Sequence, residues 1–408
     1  MNDKNNLYKY AYLVLTVGVN LQPEQGLELI CPVEKRDVAK AFTTAAYDLG
    51  AKIVHVRWED EIIEELNYRN AELSALCEVP DWVISQRKYL LDKGFCYVAI
   101  AAEDPDAFRR VPAEKLSAVA IARSKALKKF SDAVMANAIR WCVVSVPTKK
   151  WAKKVFPQEK YPERRLQREI EKAMRLDCAD PIEKWQEHIA EMEKHAAFMN
   201  EQDFYALHYV NGSGTDVTVG LADGHEWLSA QEKAKDGVDF VANIPTEEIF
   251  TAPHRKRING TVKASMPLSY NGQVIKDISL TFKNGKITGF SASEGYGVLK
   301  GLIETDEGTK SLGEVALIGK STPIAQSGII FFNTLFDENA SCHLAIGKAY
   351  PTTVKNGADM SAKELKAHGL NDSVEHVDFM IGTDDLIIDG VKKDGKTVRI
   401  FENGDWVI

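Results

Sequence analysis

The chain has 408 residues, more than one ordinary hydrophobic core holds, so two domains are expected. Its composition, 45% hydrophobic and 27% charged, is that of a globular protein and excludes a disordered or fibrous one. A formal net charge of -8 without a basic stripe argues against a nucleic-acid-binding surface, so we expect no nucleic-acid partner.

The amino-terminal half alternates predicted strands with predicted helices. Buried strands are expected at residues 12–19, 26–31, 53–56, 97–101 and 142–146. Apolar side chains between residues 38 and 49 recur at helical spacing, and Gly50 stands where that helix would end. Strands separated by helices predict an α/β domain with a mainly parallel sheet, together with a helical connector, over residues 1–203.

The cellular compartment is indicated by two features. The apolar run at 11–19 superficially resembles a signal peptide, but it is short and lacks a small-residue cleavage site, and no other stretch approaches membrane-spanning length. The six cysteines are scattered without a C-x-x-C pair, which suits reduced thiols better than a disulfide framework. We therefore expect a cytoplasmic protein without a membrane partner.

The segment from about 162 to 200 is strongly helical and carries an apolar stripe. Its members recur at alternating spacings of three and four, the pattern of a helical seam. They are Ile182, Trp185, Ile189, Met192, Ala196 and Met199. Two interpretations stay open: packing within the same protein, or a contact between two copies of the chain.

The carboxyl-terminal half changes to strands and turns. Strands are predicted at 217–221, 260–266, 278–282 and 287–290. Asn284-Gly285 between the last two is a two-residue hairpin signal, and Asn403-Gly404 repeats it near the end. Residues 204–408 are therefore predicted to form a β-rich α+β domain.

The candidate chemistry lies in this second half. The sequence has no H-E-x-x-H helix and no G-x-S-x-G elbow, which argues against a single-zinc helix site and against a serine hydrolase. On an extended strand, His376 and Asp378 point to one face of a segment that looks buried. Such groups need partners, either a metal ion or each other in a hydrogen-bonded pair that closes a core.

A second pair of candidates, Glu338 and His343, is separated by five positions. Residues 339–341 are expected to turn the chain and aim both side chains at one point, although a turn with a capping acid is an alternative. Tyr350 follows just before Pro351, and its phenol could donate a hydrogen bond to a developing oxyanion or could merely pack.

Two further acidic positions stand out. Glu314 lies inside the apolar run Gly-Glu-Val-Ala-Leu, where an unpaired charge is costly. Glu247 and Glu248 follow Thr246, so they could also mark a helix start. Carboxylates with imidazoles suit two borderline ions such as zinc, cobalt or manganese. Spacing alone leaves both a dinuclear hydrolase and a structural role open.

Four segments resemble the signatures of the bacterial aminopeptidase T/aminopeptidase S/PepS family, in the same order. They are NIPTEEIFTAP at 243–253, GEVAL at 313–317, FDENASCH at 336–343 and HVDFMIG at 376–382. The resemblance implies a carboxyl-terminal metallopeptidase domain that binds two divalent metal ions, which would be zinc, cobalt or magnesium. The metal ligands that it implies are Glu248, Glu314, Glu338, His343, His376 and Asp378.

The same resemblance implies a metal-dependent aminopeptidase that cleaves the first peptide bond of peptides with a free amino terminus, and a cytoplasmic homodimer. It makes Glu314 the carboxylate that bridges both ions and Tyr350 a catalytic residue. Either Glu314 or Glu338 could accept the proton of the attacking water. A dinuclear metal phosphoesterase and a non-catalytic, metal-stabilised binding protein are the alternatives.

Overall fold

The computed structural model describes residues 4–408, which form two compact units. The first unit comprises the residues up to Val111 together with Lys125–Glu191 and Ala230–Thr246. The second unit comprises Pro112–Ser124, Met192–Ser229 and Glu247–Ile408. The division of the sequence into domains at 1–203 and 204–408 stays a prediction.

The secondary structure of the described part alternates in the first unit and is mostly β in the second. The α-helices are α1 (Lys4–Leu13), α2 (Arg36–Asp48), α3 (Glu61–Asn70), α4 (Leu73–Cys77), α5 (Asp81–Asp92), α6 (Ala113–Met135), α7 (Lys149–Val155), α8 (Pro162–Ala173), α9 (Pro181–Gln202), α10 (Tyr296–Ile303), α11 (Pro323–Ser327), α12 (Thr334–Asp337) and α13 (Ala362–Ala367). The β-strands are β1 (Gly26–Pro32), β2 (Ile53–Glu59), β3 (Cys96–Ile100), β4 (Trp141–Val144), β5 (Ala206–Val210), β6 (Asp216–Leu221), β7 (Gln231–Lys233), β8 (Asp239–Val241), β9 (Ile249–Thr251), β10 (Pro253–Lys263), β11 (Leu268–Tyr270), β12 (Gln273–Ile275), β13 (Ser279–Lys283), β14 (Lys286–Ser291), β15 (Leu312–Leu317), β16 (His343–Gly347), β17 (His376–Met380), β18 (Ile387–Val391), β19 (Thr397–Glu402) and β20 (Asp405–Trp406). Among residues 4–408, no helix has the length and apolar character needed to cross a membrane.

Four parallel strands in the order β2-β1-β3-β4 form the main sheet of the first unit. The central strand β1 is buried, with Leu27 and Leu29 at 0% exposure. Helix α2 follows β1 and buries Val38 and Phe42, and it ends before Gly50, whose φ of 86° suits glycine. The prediction of an α/β layer with a mainly parallel sheet is confirmed.

The strand predicted at residues 12–19 is wrong. Helix α1 extends to Leu13, and a π-helical turn follows at Val14–Gly18. The reason is burial on nearly every side, because Tyr10, Leu13 and Leu15 are at most 1% exposed. A continuous apolar run fits a buried helix as well as a buried strand, so the β-branched residues at 14 and 17 do not decide between them.

The burial predicted for the strand at 53–56 is also wrong. Strand β2 lies at one edge of its sheet, so it has a single neighbouring strand. Ile53 is 40% exposed, and Val54 and Val56 are only half-buried. A β-branched run indicates a strand, but it does not show whether that strand lies at the centre or the edge of the sheet.

The second unit contains two large antiparallel sheets and the two-stranded antiparallel sheet β11-β12. One of the large sheets has the strand order β14-β13-β10-β6-β5-β18-β19-β20, and the other has the order β17-β16-β15-β9. The hairpin between β13 and β14 turns at Asn284-Gly285, where φ is 52° and 81°, and Asn403-Gly404 turns the chain between β19 and β20 in the same way. These turns and the β-rich carboxyl-terminal fold are confirmed.

The apolar stripe of the helical connector is part of the protein core. Its buried members in the single chain are Trp185, Ile189, Met192, Ala196 and Met199. They lie on α9, which runs without interruption over Pro181–Gln202. The stripe therefore packs within the protein, as the first of the two interpretations expected.

Candidate metal centre

The four-stranded sheet of the second unit aligns candidate ligands on one face. Strand β15 is buried along its whole length and pairs with β9 on one side and with β16 on the other. Glu314 of β15 lies opposite Ala345 of β16, and Ala345 lies opposite Asp378 of β17. Directly opposite residues share a face of the sheet, so two carboxylates flank one methyl group.

Both histidines project from that same face. His343 precedes Ala345 by two positions, and His376 precedes Asp378 by two, which is the period of side chains along a strand. The Nε2 atom of His376 lies 3.4 Å from Oδ1 of Asp378. The expectation that these two side chains point together is therefore confirmed.

The orientation of each imidazole is fixed by a backbone carbonyl. Nδ1 of His343 lies 3.0 Å from the carbonyl oxygen of Glu338, and Nδ1 of His376 lies 2.7 Å from that of Lys348. A carbonyl oxygen can only accept, so Nδ1 must donate in both cases. Nε2 of each ring is thereby left as the atom that faces the carboxylates and can bind a metal ion.

The facing atoms form two groups of possible metal ligands that share one member. Glu248, Glu314 and His343 form the first group, and Glu314, His376 and Asp378 form the second. In each group, one ligand atom per residue lies within 4.8 Å of the others. Nε2 of His343 is 3.0 Å from Oε2 of Glu248 and 3.4 Å from Oε1 of Glu314, whose other oxygen is 3.8 Å from Nε2 of His376.

The buried carboxylates of this cluster need positive charge nearby to balance them. Burial raises the pKa of Glu314, and burial with the charges of Asp378 and Glu248 raises the pKa of Glu338 well above its ordinary value. Burial alone would lower the pKa of His376, but Asp378 and Glu314 outweigh it and raise that pKa to about 9. Protons or a divalent cation can supply the missing charge, and the mixed oxygen and nitrogen donors suit a cation.

Two of the residues singled out in the sequence lie beside these groups. Glu338 is 7% exposed in a 3₁₀ turn that follows α12, and it belongs to neither group among residues 4–408. The turn redirects the chain between Glu338 and His343, as expected from their spacing. The ring of Tyr350 packs edge-on against the imidazole of His376, with 5.0 Å between their centroids.

Sequence reasoning missed the features that bring these strands together. Gly347 of β16 has a φ of 106°, and a Cβ there would lie 2.1 Å from the carbonyl oxygen of Glu375. Only glycine suits that position, directly opposite His376. The signal available in the sequence was that the small residues Ala345 and Gly347 alternate with larger ones, which indicates a close approach on one face of the strand. The carbonyl partners of the histidines leave no signal in the sequence, because every residue has a carbonyl.

Buried imidazoles and carboxylates around a shared glutamate, carried on an antiparallel sheet, form a candidate metal site. The sequence profile of the family described as Thermophilic metalloprotease (M29) matches residues 3–406. This match spans nearly the whole chain, so the chain belongs to the M29 family of metalloproteases.

Individual relatives agree with this assignment. The chain is 46% identical to Aminopeptidase PepS of Streptococcus thermophilus, with 100% of this chain and 99% of the relative covered. It is 42% identical to Aminopeptidase 2 of Geobacillus stearothermophilus, with 99% and 98% covered. The structure of wild-type AmpT from Thermus thermophilus matches with a TM-score of 0.90 at 35% identity, covering 99% of this chain and 100% of that chain.

The protein is therefore a metal-dependent aminopeptidase, as the resemblance in its motifs implied. The family match and the named relatives support neither the phosphoesterase nor the metal-stabilised binding protein.

Metal binding is expected to stabilise the fold through Glu314. A ligand that binds only the folded state at 100 times its Kd adds about 2.7 kcal/mol to the free energy of unfolding. We expect zinc or cobalt to raise the Tm of chelator-stripped protein by several degrees in differential scanning calorimetry, and Glu314→Gln to abolish the rise. Glu402→Gln, at an exposed glutamate, is the control and should keep it. An undiminished rise in Glu314→Gln would contradict the role of Glu314.

Proposed function

We propose that the enzyme removes the first residue of peptides with a free amino terminus by means of two divalent metal ions. Glu248, Glu314 and His343 would hold one ion. Glu314, His376 and Asp378 would hold the other. The observation that carries this proposal is the shared position of Glu314, whose two carboxylate oxygens face different imidazoles.

The donor set favours particular metals. Each group combines carboxylate oxygens with one imidazole nitrogen. Zinc and cobalt accept this mixture, whereas magnesium binds mostly to oxygen ligands and water. We therefore place zinc or cobalt ahead of magnesium as the bound metal. Two such ions, held by these residues, would lower the pKa of a water molecule to near neutrality and polarise the scissile carbonyl.

Glu338 is proposed to carry the proton of the attacking water. Glu314 belongs to both groups of ligands, whereas Glu338 belongs to neither. Burial and the charges of Asp378 and Glu248 raise the pKa of Glu338, so its carboxyl group lies near those two carboxylates. A buried carboxylate in this position can accept the proton and then donate it to the leaving amine. Service as a sixth ligand, which the family resemblance implied for Glu338, is the alternative role.

Tyr350 is proposed to stabilise the oxyanion of the tetrahedral intermediate. Its ring is held between two others: the imidazole of His376 at 5.0 Å and the phenyl ring of Phe250 at 5.9 Å between centroids. These edge-on contacts limit the ring's movement beside a ligand of the second group. A phenol held in this way can donate a hydrogen bond to the negative oxygen as it forms.

Selectivity for the amino end follows from the same donor set. The α-amino group of a peptide has an ordinary pKa of about 8, so it can lose its proton near neutral pH. The neutral amine is a nitrogen ligand that zinc or cobalt would accept, whereas an acetylated terminus has no such nitrogen lone pair. We therefore propose that a free amino group is required for cleavage.

We propose that the protein is a cytoplasmic homodimer. Free thiols support the compartment, because none of the six cysteines is paired and four are buried. Exposed large apolar side chains of the first unit support self-association, among them Trp58 at 45% exposure and Trp82 at 69%.

The proposed activity is tested by release of nitroaniline from leucine p-nitroanilide. Chelator-stripped protein is assayed with and without added cobalt or zinc, and N-acetyl-leucine p-nitroanilide is the control substrate. We expect cleavage of the free-amine substrate only, restored by metal. Equal cleavage of both substrates would contradict amino-end selectivity. Absence of cleavage with every metal, combined with hydrolysis of p-nitrophenyl phosphate, would contradict the proposal as a whole.

Replacement of Glu338 separates its two possible roles. In Glu338→Gln we expect kcat to fall about 100-fold or more, because general acid–base catalysis contributes about 10²–10⁴. We expect the metal content, measured by inductively coupled plasma mass spectrometry, to equal that of the wild-type protein. Exposed Glu402→Gln serves again as the control. Loss of one ion from Glu338→Gln would make Glu338 a ligand.

Replacement of Tyr350 tests the oxyanion role. Loss of one oxyanion donor costs about 10²–10³ in kcat, so we expect a fall of that size in Tyr350→Phe with near-normal metal content. Tyr296→Phe is the matched control, because that tyrosine is 50% exposed. Full activity in Tyr350→Phe, measured as kcat on leucine p-nitroanilide, would remove Tyr350 from the mechanism.

A further inference from the structure

Asn339 is a buried side chain that the mechanism above does not use. It follows Glu338 in the 3₁₀ turn, and its exposure is 0%. Its Oδ1 accepts a hydrogen bond of 2.7 Å from the backbone N–H of Glu247, which lies 92 positions away in the chain. Its Nδ2 donates to the carbonyl oxygen of Leu335 at 2.8 Å.

The orientation of this carboxamide is determined by its partners. The N–H of Glu247 can only donate, and the carbonyl of Leu335 can only accept, so the oxygen and the nitrogen cannot exchange places. The bond to Leu335 fixes the side chain within its own turn. The bond to Glu247 is therefore made by an acceptor that is already held in position.

This hydrogen bond joins the chain segments that carry the first group of ligands. Glu248 follows Glu247 directly, and His343 is tied to the same turn because its Nδ1 donates to the carbonyl of Glu338. Nε2 of His343 and Oε2 of Glu248 are 3.0 Å apart and belong to these two segments. The hydrogen bond from the backbone N–H of Glu247 to Asn339 holds the two segments together.

The second group of ligands is held in a different way. His376 and Asp378 lie on one strand, and that strand is paired with β16 along its length. Glu314 is placed by the pairing of β15 with β16. Every member of the second group therefore lies on a strand of the sheet, whereas the first group includes Glu248, which lies just before β9.

We infer that Asn339 is a positioning residue for one metal ion of the pair, the ion held by Glu248, Glu314 and His343. It contacts neither metal nor substrate. It sets the separation of Glu248 from His343 through the backbone of Glu247, and it leaves the ion beside His376 and Asp378 unaffected. This inference rests on the proposed two-ion site.

The test is a cobalt titration of chelator-stripped protein, followed by visible absorption, with the two dissociation constants resolved separately. We expect Asn339→Ala to keep one ion at wild-type affinity and to bind the other about 10- to 100-fold more weakly, which is the usual loss when a partner outside the ligands is removed. Asn339→Asp keeps an acceptor for the N–H of Glu247 but loses the donor to Leu335, so its affinity for the weaker ion should lie between those of Asn339→Ala and the wild-type protein.

Asn211→Ala is the matched control. Asn211 is 8% exposed, and its Oδ1 accepts from the backbone N–H groups of Ser213 and Thr215, each at 3.1 Å, in the turn between β5 and β6. This variant loses comparable hydrogen bonds, so its Tm should fall while both cobalt affinities stay unchanged. A loss of stability alone therefore cannot imitate the expected result.

Several outcomes would overturn the inference. Unchanged affinity for both ions in Asn339→Ala, or equal weakening of both, would contradict a role confined to one ion. If Asn339→Ala does not fold, a normal pair of affinities in Asn339→Gln, whose longer side chain displaces the acceptor, would contradict it instead. A wild-type protein that binds fewer than two cobalt ions would contradict the proposed two-ion site itself, and the inference with it.

Discussion

A carboxylate in a fully buried strand is tolerated only where opposite charge lies within reach, and Glu314 is such a carboxylate. Several features of the second unit bring such groups close to Glu314. Ala345 leaves space for Glu314 to face Asp378, and the glycine at 347 lets β16 approach the strand that begins with His376. Backbone carbonyls orient both imidazoles so that Nε2 faces the carboxylates. The arrangement favours a cation at its centre.

The candidate ligands come from segments far apart in the sequence, so tertiary structure must position them. The pairing of β15, β16 and β17 places Glu314, His376 and Asp378 on one face of a rigid sheet. The remaining acids, Glu248 and Glu338, lie just outside the strands and depend on turns and side-chain hydrogen bonds. In the proposed site, the strand-held ligands would bind metal while Glu338, in its turn, exchanges protons.

Local patterns in the sequence were sufficient where one physical cause dominates. The alternation around His376 placed two candidate ligands on one face, and Asn284-Gly285 specified its hairpin, because side-chain period and turn conformation are local properties. The segment at 12–19 was misassigned because burial on all sides hides the period that separates helix from strand. Two hydrogen bonds could not be predicted, because both depend on long-range packing: the one from His376 to the carbonyl of Lys348, and the one from the N–H of Glu247 to Asn339.

The most direct test of the two-ion account is anomalous diffraction from cobalt-soaked crystals, with data collected on both sides of the cobalt absorption edge. The account predicts two anomalous peaks per chain, one among Glu248, Glu314 and His343, the other among Glu314, His376 and Asp378. Each peak should lie within bonding distance of a different oxygen of Glu314. A single peak, or two peaks that do not share Glu314, would contradict the account.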